Sequence, residues 1–135
     1  MTTTVRRLYP ADLPRSPVFS PGVSVETSEV RTVYVGGQNG LGADRIVPDD
    51  VAEQTRLALH NVRVVLIEAG AEPQHVISWT ILLAQQASLE DAFGAFADFW
   101  TDAGEPPTVS VSRVVGLANP AFLIEISAIA IVPLG

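Results

Sequence analysis

The sequence contains no cysteine and no lysine, and these two absences exclude several kinds of chemistry. Without cysteine there can be no thiol nucleophile, disulfide, iron–sulfur cluster or thiolate zinc site. Without lysine there can be no Schiff-base amine and no phosphate loop of the GxxxxGK type. The two histidines, His60 and His75, offer few bases or ligands, so we predict no Ser-His-Asp triad, no metal site and no cofactor.

Positive charge is also scarce. Eight arginines stand against 15 acidic residues, which gives a net charge of −7 and argues against nucleic acid as a partner. No apolar run approaches the roughly 18 residues of a membrane span. Arg6 and Arg7 are not followed by the apolar segment of a secretory signal, so we predict a cytoplasmic protein with no membrane association.

The composition is typical of one globular domain, because 47% of the 135 residues are hydrophobic. Prolines are concentrated near the start, where Pro10 and Pro14 each remove a backbone donor and fix φ. We therefore predict an irregular N-terminal arm over residues 1–15 and a single domain over residues 16–135.

Hydrophobic periodicity predicts two helices and five strands. One helix is predicted from an N-cap at Asp49 or Asp50 to about Ala69, with Gly70 at its C-terminal end. The second runs from Ser88 to about Thr101, with an apolar face formed by Ala92, Phe93, Phe96, Phe99 and Trp100. Strands are predicted near residues 23–25, 32–35, 76–83, 108–113 and 122–132.

The order of these elements predicts an α/β (α+β) fold, in which a mixed sheet has both helices packed on one face. The strand over residues 108–113 alternates with period two, which is typical of a half-buried strand. The sheet's second face is also apolar, since Trp79 and Ile81 alternate with Val76 and Leu82. Such a face must be covered, so we predict a homo-oligomer.

A glycine-rich stretch over residues 36–42 follows one predicted strand. Its order matches neither GxGxxG nor GxxxxGK, so it is not typical of a phosphate loop. We interpret it as a closely packed strand end followed by a turn.

Glu125 is the one acidic residue in the last, otherwise apolar strand. An unpaired buried carboxylate costs several kcal/mol, so this position needs an explanation. Glu125 is either a structural carboxylate, bonded to backbone amides or to Arg113, or a general acid/base that lines a cleft.

Five motifs along the chain resemble those of one protein family. They are Val18-Phe19-Ser20-Pro21-Gly22-Val23, Tyr34-Val35-Gly36-Gly37-Gln38, Glu53-Gln54-Thr55-Arg56 with Leu59-His60-Asn61-Val62, Glu68-Ala69-Gly70-Ala71, and Ile124-Glu125-Ile126-Ser127-Ala128-Ile129-Ala130. Together they are similar to the Rid family, the reactive intermediate deaminases, also called YjgF-type or endoribonuclease L-PSP. The similarity extends from Ser16 to about Val132. It implies a chorismate-mutase-like fold and a homotrimer with a central β-barrel, with ligand clefts between the subunits.

The resemblance also implies an activity. Archetypal members hydrolyse enamines and imines, such as 2-aminoacrylate, to 2-oxo acids and ammonia. Glu125 matches the glutamate that positions the attacking water in these proteins, and Gly37 matches a cleft glycine. Phe19, Gly36 and Phe93 match the positions of a tyrosine, a serine and an asparagine in the family's cleft.

The largest departure from the family pattern is at Val109, within Pro107-Thr108-Val109-Ser110. The family has an arginine here that binds the substrate carboxylate in a bidentate manner. Arg113 lies four residues further on, roughly 13 Å along a strand, and is no obvious substitute. We predict that Val109 and Phe19 form an apolar wall, that Val111 also contacts the ligand, and that a neutral or aromatic ligand is favoured.

Three functions remain open at this point. The chain is a divergent imine deaminase in which Glu125 activates water, or a non-catalytic trimer that binds a small apolar or carbonyl ligand in the same clefts. RNA cleavage, which the family label implies, ranks last because of the net charge of −7.

Overall fold

The computed structural model describes residues 2–100 and 104–135. Among these residues it contains six strands, two α-helices and a short 3-10 helix. The strands are β1 (Thr4–Leu8), β2 (Gly22–Glu26), β3 (Val30–Asn39), β4 (Val76–Ala84), β5 (Thr108–Val114) and β6 (Ile124–Pro133). The helices are α1 (Val51–Glu68) and α2 (Leu89–Trp100), and the 3-10 helix is Pro73–His75.

The strands form one sheet in the order β1-β2-β3-β6-β4-β5. All neighbouring pairs are antiparallel except β4 and β5, which run parallel. Helix α1 packs on β3, β6 and α2, so both helices lie on one face. This confirms the predicted mixed sheet. No helix in the described ranges is long and apolar enough to cross a membrane.

Helix α1 has the predicted ends. The Asp50 carboxylate accepts a hydrogen bond from the backbone N–H of Glu53 at 3.1 Å, as an N-cap does. Gly70 has a φ of +75°, and the backbone N–H of Ala71 donates to the carbonyl of Leu66 at 2.8 Å. The buried face of α1 contains not only aliphatic residues but also Gln54 and Asn61.

Helix α2 packs on the fully buried indole of Trp79 in β4. The rings of Phe96, Phe99 and Trp100 meet it edge-on, with centroid distances of 5.2, 6.0 and 6.1 Å. These three residues confirm the predicted aromatic face, whereas Phe93 remains 39% exposed. Thr101, where the helix was expected to end, lies outside the described residues.

The predicted irregular arm over residues 1–15 is wrong for Thr4–Leu8, which form β1 and pair with β2. The prolines begin only at Pro10, so nothing in this short segment prevents strand pairing. Only Leu8 is buried, since β1 is an edge strand.

The predicted half-burial of residues 108–113 is also wrong for the single chain. Every residue from Thr108 to Arg113 is exposed, because β5 is the opposite edge strand and pairs only with β4. The face of the sheet opposite the helices is also uncovered near β1 and β3, where Val5 and Tyr34 are 51% and 48% exposed.

Candidate functional site

A groove of about 590 Å³ lies beside the bulged part of β3. Its walls come from the segment before β2, from β3 and the loop that follows it, and from the segment that leads into β6. We call it the Glu125 groove. The described residues that line it are Leu13, Pro14, Arg15, Ser16, Phe19, Ser20, Pro21, Gly36, Gly37, Gln38, Asn39, Leu41, Arg45, Asn61, Ala118, Phe122 and Glu125. Four predicted site residues, Phe19, Gly36, Gly37 and Glu125, are therefore brought together.

A bulge in β3 forms one wall of the Glu125 groove. Val35 pairs with Ala128 and Gln38 with Ile126, so the two glycines between them lie opposite the single residue Ser127, and β3 has one extra residue here. The backbone N–H of Gly36 donates to the carbonyl of Pro21 at 2.8 Å, next to the Gly22–Val35 pair of β2 and β3. The glycine-rich stretch is thus a closely packed strand end, as predicted.

The carboxyl group of Glu125 packs directly over Gly37. A Cβ atom at Gly37 would lie 2.6 Å from Cδ and 2.7 Å from Oε2 of Glu125, closer than real Cβ contacts. Only glycine at position 37 leaves the carboxylate its observed place. The two residues therefore form one structural unit.

Glu125 has no protein partner in the described ranges. No hydrogen bond or ion pair to its carboxylate occurs within residues 2–100 and 104–135. Arg113 instead donates to the carbonyls of Gln85 and Ala87, at 3.2 and 2.9 Å. The structural interpretation, in which amides or Arg113 neutralise this carboxylate, is wrong. Its oxygens are free to accept hydrogen bonds from water or a ligand in the groove.

Two buried polar side chains of α1 hold the loops that flank Glu125. Gln54 is 1% exposed, and its amide donates to the carbonyls of Pro48 and Ala121 at 2.7 and 2.9 Å. Its carbonyl oxygen accepts from the backbone N–H of Leu123 at 2.8 Å. Asn61 donates to the carbonyls of Asn39 and Leu41 at 3.2 and 3.0 Å. These side chains fix both backbone segments around the carboxylate.

The sequence analysis did not assign a role to Gln54 or Asn61. The signal was their position on the apolar face of α1, in the same helical rows as Ala58 and Val62. A polar residue in such a row has to satisfy its hydrogen bonds internally.

The other predicted site residues lie elsewhere. Phe93 and Val111 line a small apolar crevice of about 10 Å³ between α2 and the sheet. Val109 is 42% exposed and lines neither cavity. We call these three residues the β5–α2 surface. Within one chain the structure does not bring the β5–α2 surface to Glu125.

The Glu125 groove also contains two arginines that the sequence analysis did not single out, Arg15 and Arg45. The guanidinium of Arg15 lies 4.0 Å from the ring centroid of Tyr9. No group of three or more metal-ligating side chains was found in the part of the chain that the structure describes.

Comparison with protein families gives a match over most of the chain. Residues 17–132 match the family model described as "Endoribonuclease L-PSP". The chain is 31% identical over 115 residues to the mouse (Mus musculus) protein named "2-iminobutanoate/2-iminopropanoate deaminase", covering 84% of this chain and 80% of that protein. It is 34% identical over 105 residues to the rat (Rattus norvegicus) protein of the same name, covering 75% and 73%.

Solved structures show the same fold. A protein of unknown function from Pseudomonas aeruginosa has a TM-score of 0.83 at 25% identity, covering 98% of this chain and 94% of that one. The protein TdcF of E. coli, solved with bound serine, has a TM-score of 0.82 at 23% identity, covering 94% and 98%.

Proposed function

Because the chain belongs to the endoribonuclease L-PSP family, also known as the Rid or YjgF family, we propose that it hydrolyses an imine or enamine at Glu125. The observation that supports this most strongly is the carboxylate itself. It lies in a groove of about 590 Å³, against Gly37, without a protein partner in the described ranges. A base in this setting is free to position a water molecule.

The proposed reaction replaces a C=N bond by a C=O bond. A water molecule that donates a hydrogen bond to Glu125 attacks the imine carbon, and its oxygen forms the new carbon–oxygen bond. Glu125 accepts a proton from this water and returns it to the nitrogen, which gives a carbinolamine with a hydroxyl and an amino group on one carbon. Glu125 then takes the hydroxyl proton and passes it to the amino group, so that the C=O bond forms as the carbon–nitrogen bond breaks and ammonia leaves. An enamine first tautomerises to the imine. The balance is imine plus water giving carbonyl compound plus ammonia, with no cofactor.

We propose further that the site is completed by another copy of the chain in a homotrimer with a central β-barrel. Phe93, Val109 and Val111 are partly exposed on the β5–α2 surface and do not reach Glu125 in one chain. The uncovered sheet face, with Val5 and Tyr34 half exposed, supports burial against a neighbour. Ligand clefts between subunits would then join the two sets of residues.

Val109 limits the substrate class under this proposal. A valine offers no hydrogen bond to a carboxylate on the imine carbon, and removing water from that carboxylate against an apolar wall is unfavourable. The relatives named 2-iminobutanoate/2-iminopropanoate deaminase are 31% and 34% identical. We expect this chain to act poorly on those small 2-imino acids and better on a larger imine.

The test is ammonia release from freshly generated imines, measured with the unmodified protein and with Glu125→Gln. The panel contains 2-iminopropanoate, the larger imine of phenylpyruvate, and the imine of phenylacetaldehyde, which has no carboxylate on the imine carbon. Glutamine keeps the shape but cannot accept the proton, so we expect a loss of about 10²-fold or more in rate. Equal rates for the two proteins would show that Glu125 takes no part in the reaction.

A non-catalytic trimer that binds a small molecule is the second candidate, and the absence of an arginine at position 109 favours it. It predicts ligand-dependent shifts in melting temperature without ammonia release from any imine of the panel. RNA cleavage ranks below both, because a chain with a net charge of −7 repels phosphates.

A further inference from the structure

The charge of the Glu125 groove differs in sign from that of the whole chain. The sequence has 15 acidic residues and 8 arginines. Among the described residues that line the groove, two are arginines, Arg15 and Arg45, and one is acidic, Glu125. An excess of positive charge in a concave site of an acidic protein favours an anionic ligand.

Among the residues that the structure describes, neither guanidinium group has a protein partner that would neutralise it. The ion pairs of the described residues involve other arginines, namely Arg31 with Glu26 and Arg56 with Glu53. No side-chain hydrogen bond from Arg15 or Arg45 occurs within residues 2–100 and 104–135. Their N–H donors therefore remain available to a ligand.

The two arginines are held at the groove by different local structures. Arg15 follows Pro14, and its guanidinium lies 4.0 Å from the ring centroid of Tyr9, which restricts its orientation. Arg45 has a φ of 63°, a left-handed conformation that is uncommon for residues other than glycine. A backbone bond of 2.9 Å from its N–H to the carbonyl of Gly42 closes this turn. Residues in such conformations concentrate at ligand sites.

We propose that Arg15 and Arg45 bind an anionic group on the body of the ligand, and not a carboxylate on the imine carbon, which Val109 cannot bind. The substrate class is then an imine with an apolar or aromatic body, which contacts Phe19 and Phe122, and with a carboxylate directed toward the two arginines. From the sequence alone, Val109 and Phe19 favoured a neutral or aromatic ligand, because only the three-dimensional structure shows the two arginines in the same groove. This inference rests on the proposed function only in describing the anion as part of an imine.

Binding of benzoate and of benzamide tests the charge requirement directly. The two molecules have nearly the same shape, but only benzoate has a negative charge. Calorimetric titration of the unmodified protein is expected to show benzoate binding at least about tenfold more tightly than benzamide, since a charge-assisted hydrogen bond contributes about that much. Added salt should weaken the binding of benzoate and not that of benzamide.

The variants are Arg15→Gln and Arg45→Gln, with Arg63→Gln as the matched control. Arg63 is exposed on α1 outside the groove, so its variant changes the net charge equally. We expect about tenfold weaker benzoate binding in each groove variant and no change in the control. Arg15→Lys, which keeps the positive charge, should recover part of the affinity. Melting temperatures equal to that of the unmodified protein show that each variant is folded.

Two results would overturn the proposal. One is equal affinity of the unmodified protein for benzoate and benzamide, and the other is unchanged benzoate binding in both folded groove variants. Failure of the proposed function has a different outcome. In that case the protein does not accelerate ammonia release from any imine of the panel, while the affinity for benzoate still depends on Arg15 and Arg45. Glu125→Gln should retain benzoate binding, because it removes a like charge from the groove.

Discussion

The Glu125 groove and the β5–α2 surface belong to the same sheet but differ in how their residues are hydrogen-bonded and how far they are exposed. Around the groove, Gln54 and Asn61 satisfy backbone groups of two loops, and Glu125 packs on Gly37. At the β5–α2 surface, Val109 and Val111 belong to an edge strand whose residues 108–113 are all exposed. Around the groove the loops are held by buried hydrogen bonds while the Glu125 carboxylate has no protein partner in the described ranges, whereas the β5–α2 surface leaves apolar side chains exposed.

Under the proposed function, the Glu125 groove is the region that holds the reacting groups, and the β5–α2 surface is the region that a neighbouring copy covers. Polar groups held by buried hydrogen bonds keep one geometry, as a reaction requires. When a neighbouring chain covers exposed valines on an edge strand, apolar surface is removed from water, and this burial stabilises the contact.

Gln54→Ala is expected to have the largest effect on stability. It removes three hydrogen bonds and leaves the carbonyls of Pro48 and Ala121 and the N–H of Leu123 without partners. We expect the free energy of unfolding to fall by about 3 kcal/mol, as measured by urea denaturation. Gln74→Ala, at an exposed position of the 3-10 helix, is the control and should change it little. A loss below about 0.5 kcal/mol in Gln54→Ala would contradict the assigned role.

Gly37→Ala is expected to disturb the groove more than the fold. The new Cβ would collide with the Glu125 carboxyl group, which has to move. We expect little loss of stability, because the far end of the flexible Glu125 side chain can shift, together with loss of ammonia release comparable to that of Glu125→Gln. The rate in a folded Gly37→Ala protein is the measurement, and a rate equal to that of the unmodified chain would refute the coupling.

Gly94→Ala in α2 is the matched control for that variant. A Cβ at Gly94 meets no atom within 4 Å, and alanine favours a helix over glycine by about 0.5–1 kcal/mol. This variant should therefore be slightly more stable and keep its rate.

Val109→Arg tests whether the β5–α2 surface faces a ligand in the assembly. An arginine here would add a bidentate partner for a carboxylate on the imine carbon. We expect the rate of ammonia release from 2-iminopropanoate to rise about tenfold or more, with little change in stability because the position is 42% exposed. No change in that rate would place residue 109 away from the cleft.

Most of the fold could be predicted from the sequence, because hydrophobic periodicity and capping residues are local signals. Asp50 and Gly70 mark the ends of α1, and Trp79 marks a buried strand. Strand β1 was missed because its partner β2 lies beyond a proline-rich segment, and a short strand that buries only Leu8 shows little pattern.

The site was predictable in part, for a similar reason. Glu125 stands out as the one acid in an apolar strand, but the residues that surround it in the groove are distant in the sequence. Gln54 reaches Ala121, 67 residues further along the chain, and no local pattern indicates that bond. Arg15 and Arg45 lie in irregular segments, where only the three-dimensional structure shows that they share a groove.

The central claim is that two regions of different copies form one site, and the mass of the particle in solution tests it most directly. Light scattering at micromolar concentration is expected to give three times the chain mass of 14.3 kDa. A particle of 14.3 kDa that nevertheless releases ammonia from an imine would contradict the account, because the Glu125 groove would then act without the β5–α2 surface of a neighbour.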